Sequence, residues 1–410
     1  MNIAGSASVR GPGWVPGMAL MESIMSNSAS QLGVDPSELR ANNLMERGQT
    51  TCDGMPLPYM NIQQIWSQIK ISSKYTEKQA SVALYNKNNR WTKRGLAITP
   101  IRFGMQCAGA NFNASVSIYP DGTVGISHGG SEIGQGLNTK VIQVVAYKLG
   151  LTEADLVKVT CNETSTRDLS SPSNVTGGSI TGSMCSLALM HACDELNRRL
   201  APFRTSPTMP WLDLITAADN ANVNLHAAGW SNAPASTGPS MFRFNTCAAS
   251  LCEVELDGLT GQYEVKEVDI LFDAGISLNP IIDIGQVEGG FIFGMGLFTS
   301  EEMAWDPKTA QPLNGTTWDY KVPSAFDVPE SFNIALLKDC PNPLGVLGAK
   351  VVGEPGVAMA TSVWTAIEDA VTAVRVANGG PSTRWVCTNL PLTVDKIQQA
   401  CGTTVANFEL

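Results

Sequence analysis

The segment Gly129–Lys140 reads GGSEIGQGLNTK, with four glycines among its first eight residues. Glycine loses more backbone freedom on ordering than any other residue, so such a cluster is costly to fix in place. Before it runs TVGISH (123–128), an alternating strand-like stretch. After it Leu137, Val141, Val144, Val145 and Leu149 recur on one face of a helix. The junction therefore reads strand, bare loop, helix N-terminus. The first turn of a helix has unpaired N–H groups and the positive dipole end, and glycine lets a ligand come close to them.

Three further segments are built alike. SNVTGGSITG (173–182) precedes a helix over about 183–200, on which Leu187, Met190, Cys193, Leu196 and Leu200 share a face. DIGQVEGGFIFGMG (283–296) reads as a glycine-rich loop opening on Asn279-Pro280. GAKVVGEPGVAMA (348–360) opens a last long helix carrying Val363, Trp364, Ile367, Val371 and Val374. Four such ends could surround one large, polar, anionic ligand, with Gln135 and Gln286 offering both donors and acceptors. Any single loop could equally be a tight turn or a close packing contact, and periodicity does not show that the ends converge. Glu354 lies between glycine and proline at a helix mouth. It reads either as a helix-terminal carboxylate or as a rigidly held general base, and the residues alone leave both open.

Outward from these segments the chain reads as α+β, with mixed sheets and long helices. Residues 1–93 are mainly helical, with a well-formed start at Asp35-Pro36-Ser37-Glu38 and a polar helical region at about 61–88. Short strands follow over 94–127, where ASVSIYP and TVGISH form a hairpin across Asp121-Gly122. ASLCEVELD and YEVKEVDILFD make a second pair around a turn at 258–261. Residues 94–375 form the α+β part of one domain spanning 1–375, and 376–410 read as a C-terminal tail. Residues 202–245, rich in Pro, Asn, Ala and Ser, read as a long surface excursion.

Composition narrows the function. The chain has 410 residues, 43% of them hydrophobic and 16% charged, which places it among well-buried globular proteins. A net charge of −10 without a basic stripe argues against nucleic acid. No apolar run reaches the roughly 18–20 residues needed to cross a bilayer, and the opening residues carry no secretory leader pattern. Ten scattered cysteines with no CxxC pair read as buried free thiols in a reducing, cytoplasmic setting. The three histidines, His128, His191 and His226, have no zinc-ligand spacing, and neither a P-loop nor a GxSxG elbow is present.

Taken together, HGGSEIGQGLNTKVIQVVA, DAGISLNPIIDIGQVEGGFIFGMGLFTSEEM, YKVPSAFDVPESFNIALLKDCPNP and AKVVGEPGVAMATSVWTAIEDAV resemble the molybdenum hydroxylases, the xanthine dehydrogenase and aldehyde oxidase family. The match follows the C-terminal half of that family's molybdopterin-binding region, its second molybdopterin-binding domain. The resemblance implies that the glycine-rich loops form half of a molybdopterin cage. Gly134, Gln135, Gly177, Gly178, Ser179, Thr181, Gln286 and Lys350 would hold the cofactor, and no protein ligand to the metal is implied, because the pterin dithiolene carries the molybdenum. Glu354 would be the catalytic base, with nearby Lys350 helping to keep it charged. Arg10, Pro12 and Cys107 would line the substrate site. Pro12 and Cys107 stand where the purine oxidisers of the family have two phenylalanines, which leans away from purines and towards aldehydes or another N-heterocycle.

The resemblance further implies hydroxylation of the substrate carbon with oxygen derived from water. Electrons would pass through molybdenum to [2Fe-2S] and FAD centres expected in an N-terminal portion outside this chain. This chain would be inactive without that portion, supplied in cis or in trans, and the complete protein would be a homodimer. The alternative is a non-catalytic remnant of the same family serving as a scaffold or interaction domain.

Overall fold

The computed structural model describes residues 8–107, 109–152, 155, 158–161, 176–232 and 241–408. The first four helices are α1 (Trp14–Leu32), α2 (Pro36–Asn42), α3 (Ile62–Ser72) and α4 (Tyr75–Asn88). The start of α2 follows its sequence signature: the Asp35 carboxylate accepts the Ser37 amide at 2.6 Å and Pro36 takes the first helical position.

Strands β1 (Thr92–Gln106), β2 (Asn111–Ile118) and β3 (Val124–His128) come next, followed by α5 (Leu137–Leu149), β4 (Val159–Cys161) and α6 (Thr181–Leu200). Then follow α7 (Trp211–Asn220), β5 (His226–Asn232), β6 (Phe242–Asp257), β7 (Tyr263–Phe272) and α8 (Pro280–Phe298). The chain closes with β8 (Ser331–Leu336), α9 (Pro355–Met359), α10 (Thr361–Ala377) and α11 (Val394–Cys401).

These strands make two mixed sheets, ordered β1-β6-β7-β8 and β4-β3-β2-β5. The pairs β7–β8 and β3–β4 are parallel, and the remaining pairs are antiparallel. The first sheet is covered on both sides, and the period-2 alternation of its strands shows it. Ala97, Ala248 and Cys252 face α8 and α10, whereas Leu96, Ile98, Cys247 and Ala249 face α3 and α4. The second sheet packs α5 and α6 on one face. Strand β1 is long enough to serve both halves: Phe103 and Met105, near its end, are buried in the second core.

Three sequence expectations change. The glycine-rich stretch 283–296 is not a loop but the body of α8. Two of its glycines are packing contacts with α9: a Cβ on Gly294 would stand 2.1 Å from the Val357 carbonyl oxygen, and one on Gly290 would stand 3.0 Å from Gly356 Cα. The same helix overturns the reading that no segment reaches spanning length. By length and composition α8 is apolar enough to cross a membrane, yet its Val287, Phe291, Met295 and Phe298 lie in the first core. Finally, 202–245 is no surface excursion in its described part, since it supplies α7 and the edge strand β5; residues 233–240 of it lie outside the described residues. Beyond 376 the chain returns to the first core, where Ile397 and Cys401 of α11 are buried and the Leu392 amide reaches the Phe298 carbonyl. None of the ten cysteines forms a disulfide, and eight are buried.

Candidate active site

The loops singled out by sequence meet beside the N-terminal end of α1. Strand β3 delivers His128, whose Nδ1 accepts the Gly130 amide at 3.2 Å and whose Nε2 donates to Asn138 Oδ1 at 3.0 Å. Burial pushes the pKa of this imidazole down, so it is a neutral structural link between β3 and α5. The following loop packs directly on the start of α6, because the Ser131 amide donates to Thr176 Oγ1 at 2.8 Å. It also meets α8, where Lys140 pairs with the buried Asp283 at 2.5 Å.

Gln135 is held within its own loop, accepting the Ile133 amide at 2.7 Å and donating to the Ser131 carbonyl at 2.9 Å. The turn ahead of α6 places Gly178 and Ser179 at φ +66° and +58°. A positive φ at serine is strained, and such strain is kept where the surroundings over-determine it. Here they do: Ser179 Oγ accepts the Glu354 amide at 2.8 Å and faces Glu354 Oε2 at 3.4 Å.

Glu354 stands at the N-cap of α9. Its Oε1 accepts the amide of Gly11 at 3.1 Å, so α1's leading loop and the 176–182 turn clamp one carboxylate from two sides. Next to it Arg10 donates Nε to the Gly353 carbonyl at 2.6 Å and Nη2 to the Gln286 carbonyl at 2.8 Å. A third contact runs from Nη2 to Gln286 Oε1 at 3.4 Å. Burial lowers the Arg10 pKa, and the negative charge of Glu354 opposes that shift. Gly353 leaves only tight space for a side chain, since a Cβ there would stand 3.0 Å from Ser179 Oγ.

Arg10, Ser179, Gln286 and Glu354 thus form one cluster, with the Gln135 loop as its neighbour. Two of the expected residues stand elsewhere. Lys350 does not turn towards Glu354: its Nζ is buried against Asp273 at 2.5 Å. The chain turns at Gly353-Glu354, whereas the Lys350 amide pairs with the Ala274 carbonyl beside Asp273, which holds the Lys350 side chain in the interior. Cys107 is buried in the second core and its backbone pairs with Met241 and Ala110, while Pro12 is exposed beside Gly11. Sequence reading missed Gly11, Gly353, Asp273 and Glu132. Glu132 carried a legible signal, a carboxylate inside a glycine-rich loop just ahead of a helix.

The donor set of this cluster consists of main-chain amides, two side-chain amides, hydroxyls and the Arg10 guanidinium, and glycines beside it border open space. A Cβ built on Gly134, Gly177 or Gly285 would meet no atom within 4 Å. Thr181 Oγ1 is buried without a hydrogen-bond partner among the described residues. Glycine backbone left open on its side-chain side, next to polar donors and the unpartnered Thr181 hydroxyl, fits a large polar cofactor that brings its own metal. Among the described residues no group of three or more His, Cys, Asp or Glu side chains could itself hold a metal ion.

A family model described as the molybdopterin cofactor-binding domain matches residues 68–329. The chain belongs to the molybdenum hydroxylase family. It is 35% identical over 411 residues to the xanthine dehydrogenase/oxidase of Felis catus, a match covering 98% of this chain and 30% of that protein. With the xanthine dehydrogenase of Dictyostelium discoideum it shares 34% identity over 413 residues, with the same two coverages. The fold matches quinoline 2-oxidoreductase from Pseudomonas putida 86 with a TM-score of 0.82 at 20% identity, over 96% of this chain and 53% of that one. It also matches the aldehyde oxidoreductase from Desulfovibrio desulfuricans ATCC 27774, with a TM-score of 0.78 at 24% identity, over 96% of this chain and 41% of that one. The chain therefore spans about 30% of the length of the curated relatives it matches. As a molybdenum hydroxylase's molybdopterin-binding region, it has its Gln135, Gly177–Thr181 and Gln286 within the matched segment and Glu354 just beyond it.

Proposed function

We propose that the chain is half of the cofactor cage of a molybdenum-dependent hydroxylase acting on an aldehyde or an N-heterocycle. The observation that carries this reading is the clamped Glu354 carboxylate, adjoining Arg10, Gln286 and bare glycine backbone that faces open space. Gly134, Gln135, Gly177, Gly178, Ser179, Thr181 and Gln286 would hold the molybdenum–molybdopterin group. When bound, that group supplies the two-electron oxidation that goes with entry of a water-derived oxygen into the substrate carbon. Lys350 is left out of this set, because its ammonium is committed to Asp273.

In this reading Glu354 accepts a proton at Oε2, the oxygen with only a long contact to Ser179. Gly11 and Ser179 fix the carboxylate's direction, so little rearrangement is needed when the proton moves. Arg10 ties α8 to the 353–354 corner through two carbonyls, a forked geometry that lysine cannot reproduce. Pro12, exposed beside Gly11, would border the substrate, whereas the buried Cys107 would not. The short coverage of the relatives supports a complete enzyme in which a further portion, carrying [2Fe-2S] and FAD centres, supplies the other half of the cage and the electron path. This chain alone would then be inactive, and the complete protein a cytoplasmic homodimer; ten cysteines without a disulfide suit a reducing compartment.

The test is Glu354→Gln in the complete, molybdenum-loaded protein. Turnover of an aromatic aldehyde should fall by roughly 10²–10⁴-fold or more, with molybdenum content near that of the parent. Unchanged turnover would remove Glu354 from the chemistry.

A further inference from the structure

Glu132 lies in the exposed loop between β3 and α5 and uses both carboxylate oxygens inside that loop. Its Oε1 accepts the amides of Gly134 at 2.9 Å and Gly136 at 3.0 Å, and its Oε2 accepts the amide of Asn138 at 2.9 Å. Gly136 is the residue ahead of α5 and Asn138 lies in its first turn, so the side chain occupies the position an anion would take at that helix end. Gly134 and Gly136 stand at φ +94° and +80°, and the carboxylate ties these two left-handed residues together. Gln135 sits inside the resulting arc, with both ends of its side-chain amide bonded to the loop. The arc is anchored outside by Asn138, which accepts from His128, and by Ser131, which donates to Thr176.

We propose that Glu132 is a positioning residue: its carboxylate is a built-in anion that closes the mouth of α5 and pre-shapes the Gln135 loop for the cofactor. The point about the cofactor rests on the function proposed above; the closing of the helix mouth does not. An anionic part of the ligand is thereby turned away from α5 and left with the Gly177–Thr181 turn, where α6 starts without a side-chain cap. These three internal bonds would order the loop without help from a ligand, so its conformational entropy would not be lost at the moment of binding.

The test uses the chain as it stands. In Glu132→Ala, hydrogen exchange at the amides of Gly134, Gly136 and Asn138 should accelerate by roughly tenfold or more, the scale expected when hydrogen bonds to a charged acceptor are lost. Amides deeper in α5 should keep their protection, which shows that the fold is intact. Added acetate should restore protection in this variant and change nothing in the parent. Glu132→Gln keeps one acceptor oxygen and should fall between the two. Parent-like exchange in both variants would overturn the proposal. In the complete protein, Glu132→Ala should also lower molybdenum content. Lost protection with unchanged molybdenum content would overturn the role towards the cofactor and leave the family reading untouched, because Glu354→Gln tests that reading separately.

Discussion

Replacing Lys350 by methionine separates a buried structural cation from a partner of the candidate base. Asp273, fully buried at the end of β7, accepts Lys350 Nζ at 2.5 Å and Asn61 Nδ2 at 2.8 Å on Oδ2. Its Oδ1 takes the Gly275 amide at 3.0 Å and faces Cys340 Sγ at 3.3 Å. Burial, reinforced by the Asp273 charge, pushes the Cys340 thiol up to about 12, so it donates to Asp273 rather than competing as an anion. At this separation the attraction is about 6–7 kcal/mol for an effective dielectric of ~20, and the desolvation of both groups offsets much of it. Removing only the lysine leaves a buried carboxylate without its counter-charge, which costs about 3–5 kcal/mol. That is a large share of the ~5–15 kcal/mol by which proteins are usually stable. Urea denaturation followed by tryptophan fluorescence should therefore show a much lower midpoint for Lys350→Met. The double variant Lys350→Met with Asp273→Asn should recover more than half of the loss, because it removes the unpaired charge and keeps an acceptor. Parent-like stability in Lys350→Met, together with a displaced pH profile of turnover, would refute this reasoning and return Lys350 to Glu354.

Two further outcomes follow from the core around α8 and α10. Burial pushes the Glu368 carboxyl up to about 7 from its ordinary 4.5, with Arg384 opposing the shift. Its folded pKa lies above the unfolded one, so its contribution is full below pH 4.5 and is lost as pH rises through about 7. At ~1.4 kcal/mol per pH unit this amounts to about 3 kcal/mol, so Glu368→Gln should lose correspondingly less stability than the parent between pH 5 and pH 8; equal slopes would defeat the argument. Gly294→Ala should destabilise by about 1–3 kcal/mol through overpacking against the Val357 carbonyl, and should lower turnover as well, because Glu354 is the N-cap of the helix α9 that carries Val357. Calorimetry and an aldehyde assay on the complete protein read both effects, and a neutral result in both would show that α8 and α9 are not tightly engaged there.

What the sequence settled by itself was local. The Asp35-Pro36 helix start, the hairpin across Asp121-Gly122 and the apolar faces of α5 and α10 depend on neighbours a few residues apart, and each stands in the structure. On α6 the face is rotated: Cys193, Leu196 and Leu200 are buried as read, but Met184, Cys185, Ala188 and Leu189 join them while Leu187 and Met190 are only half-buried. The sequence also marked Arg10, Ser179, Gln286 and Glu354, yet only tertiary contacts made them a cluster: Arg10 and Gly353 are 343 positions apart. The misreadings share that cause. Gly290 and Gly294 look like loop residues until the backbone of α9 is seen lying against them. Lys350, four positions before Glu354, looks like its partner until its backbone is seen paired with Ala274, which leaves the ammonium beside Asp273. Local preferences act over a turn or two of chain, whereas the direction in which a buried side chain points is set by which surfaces close around it when the core forms.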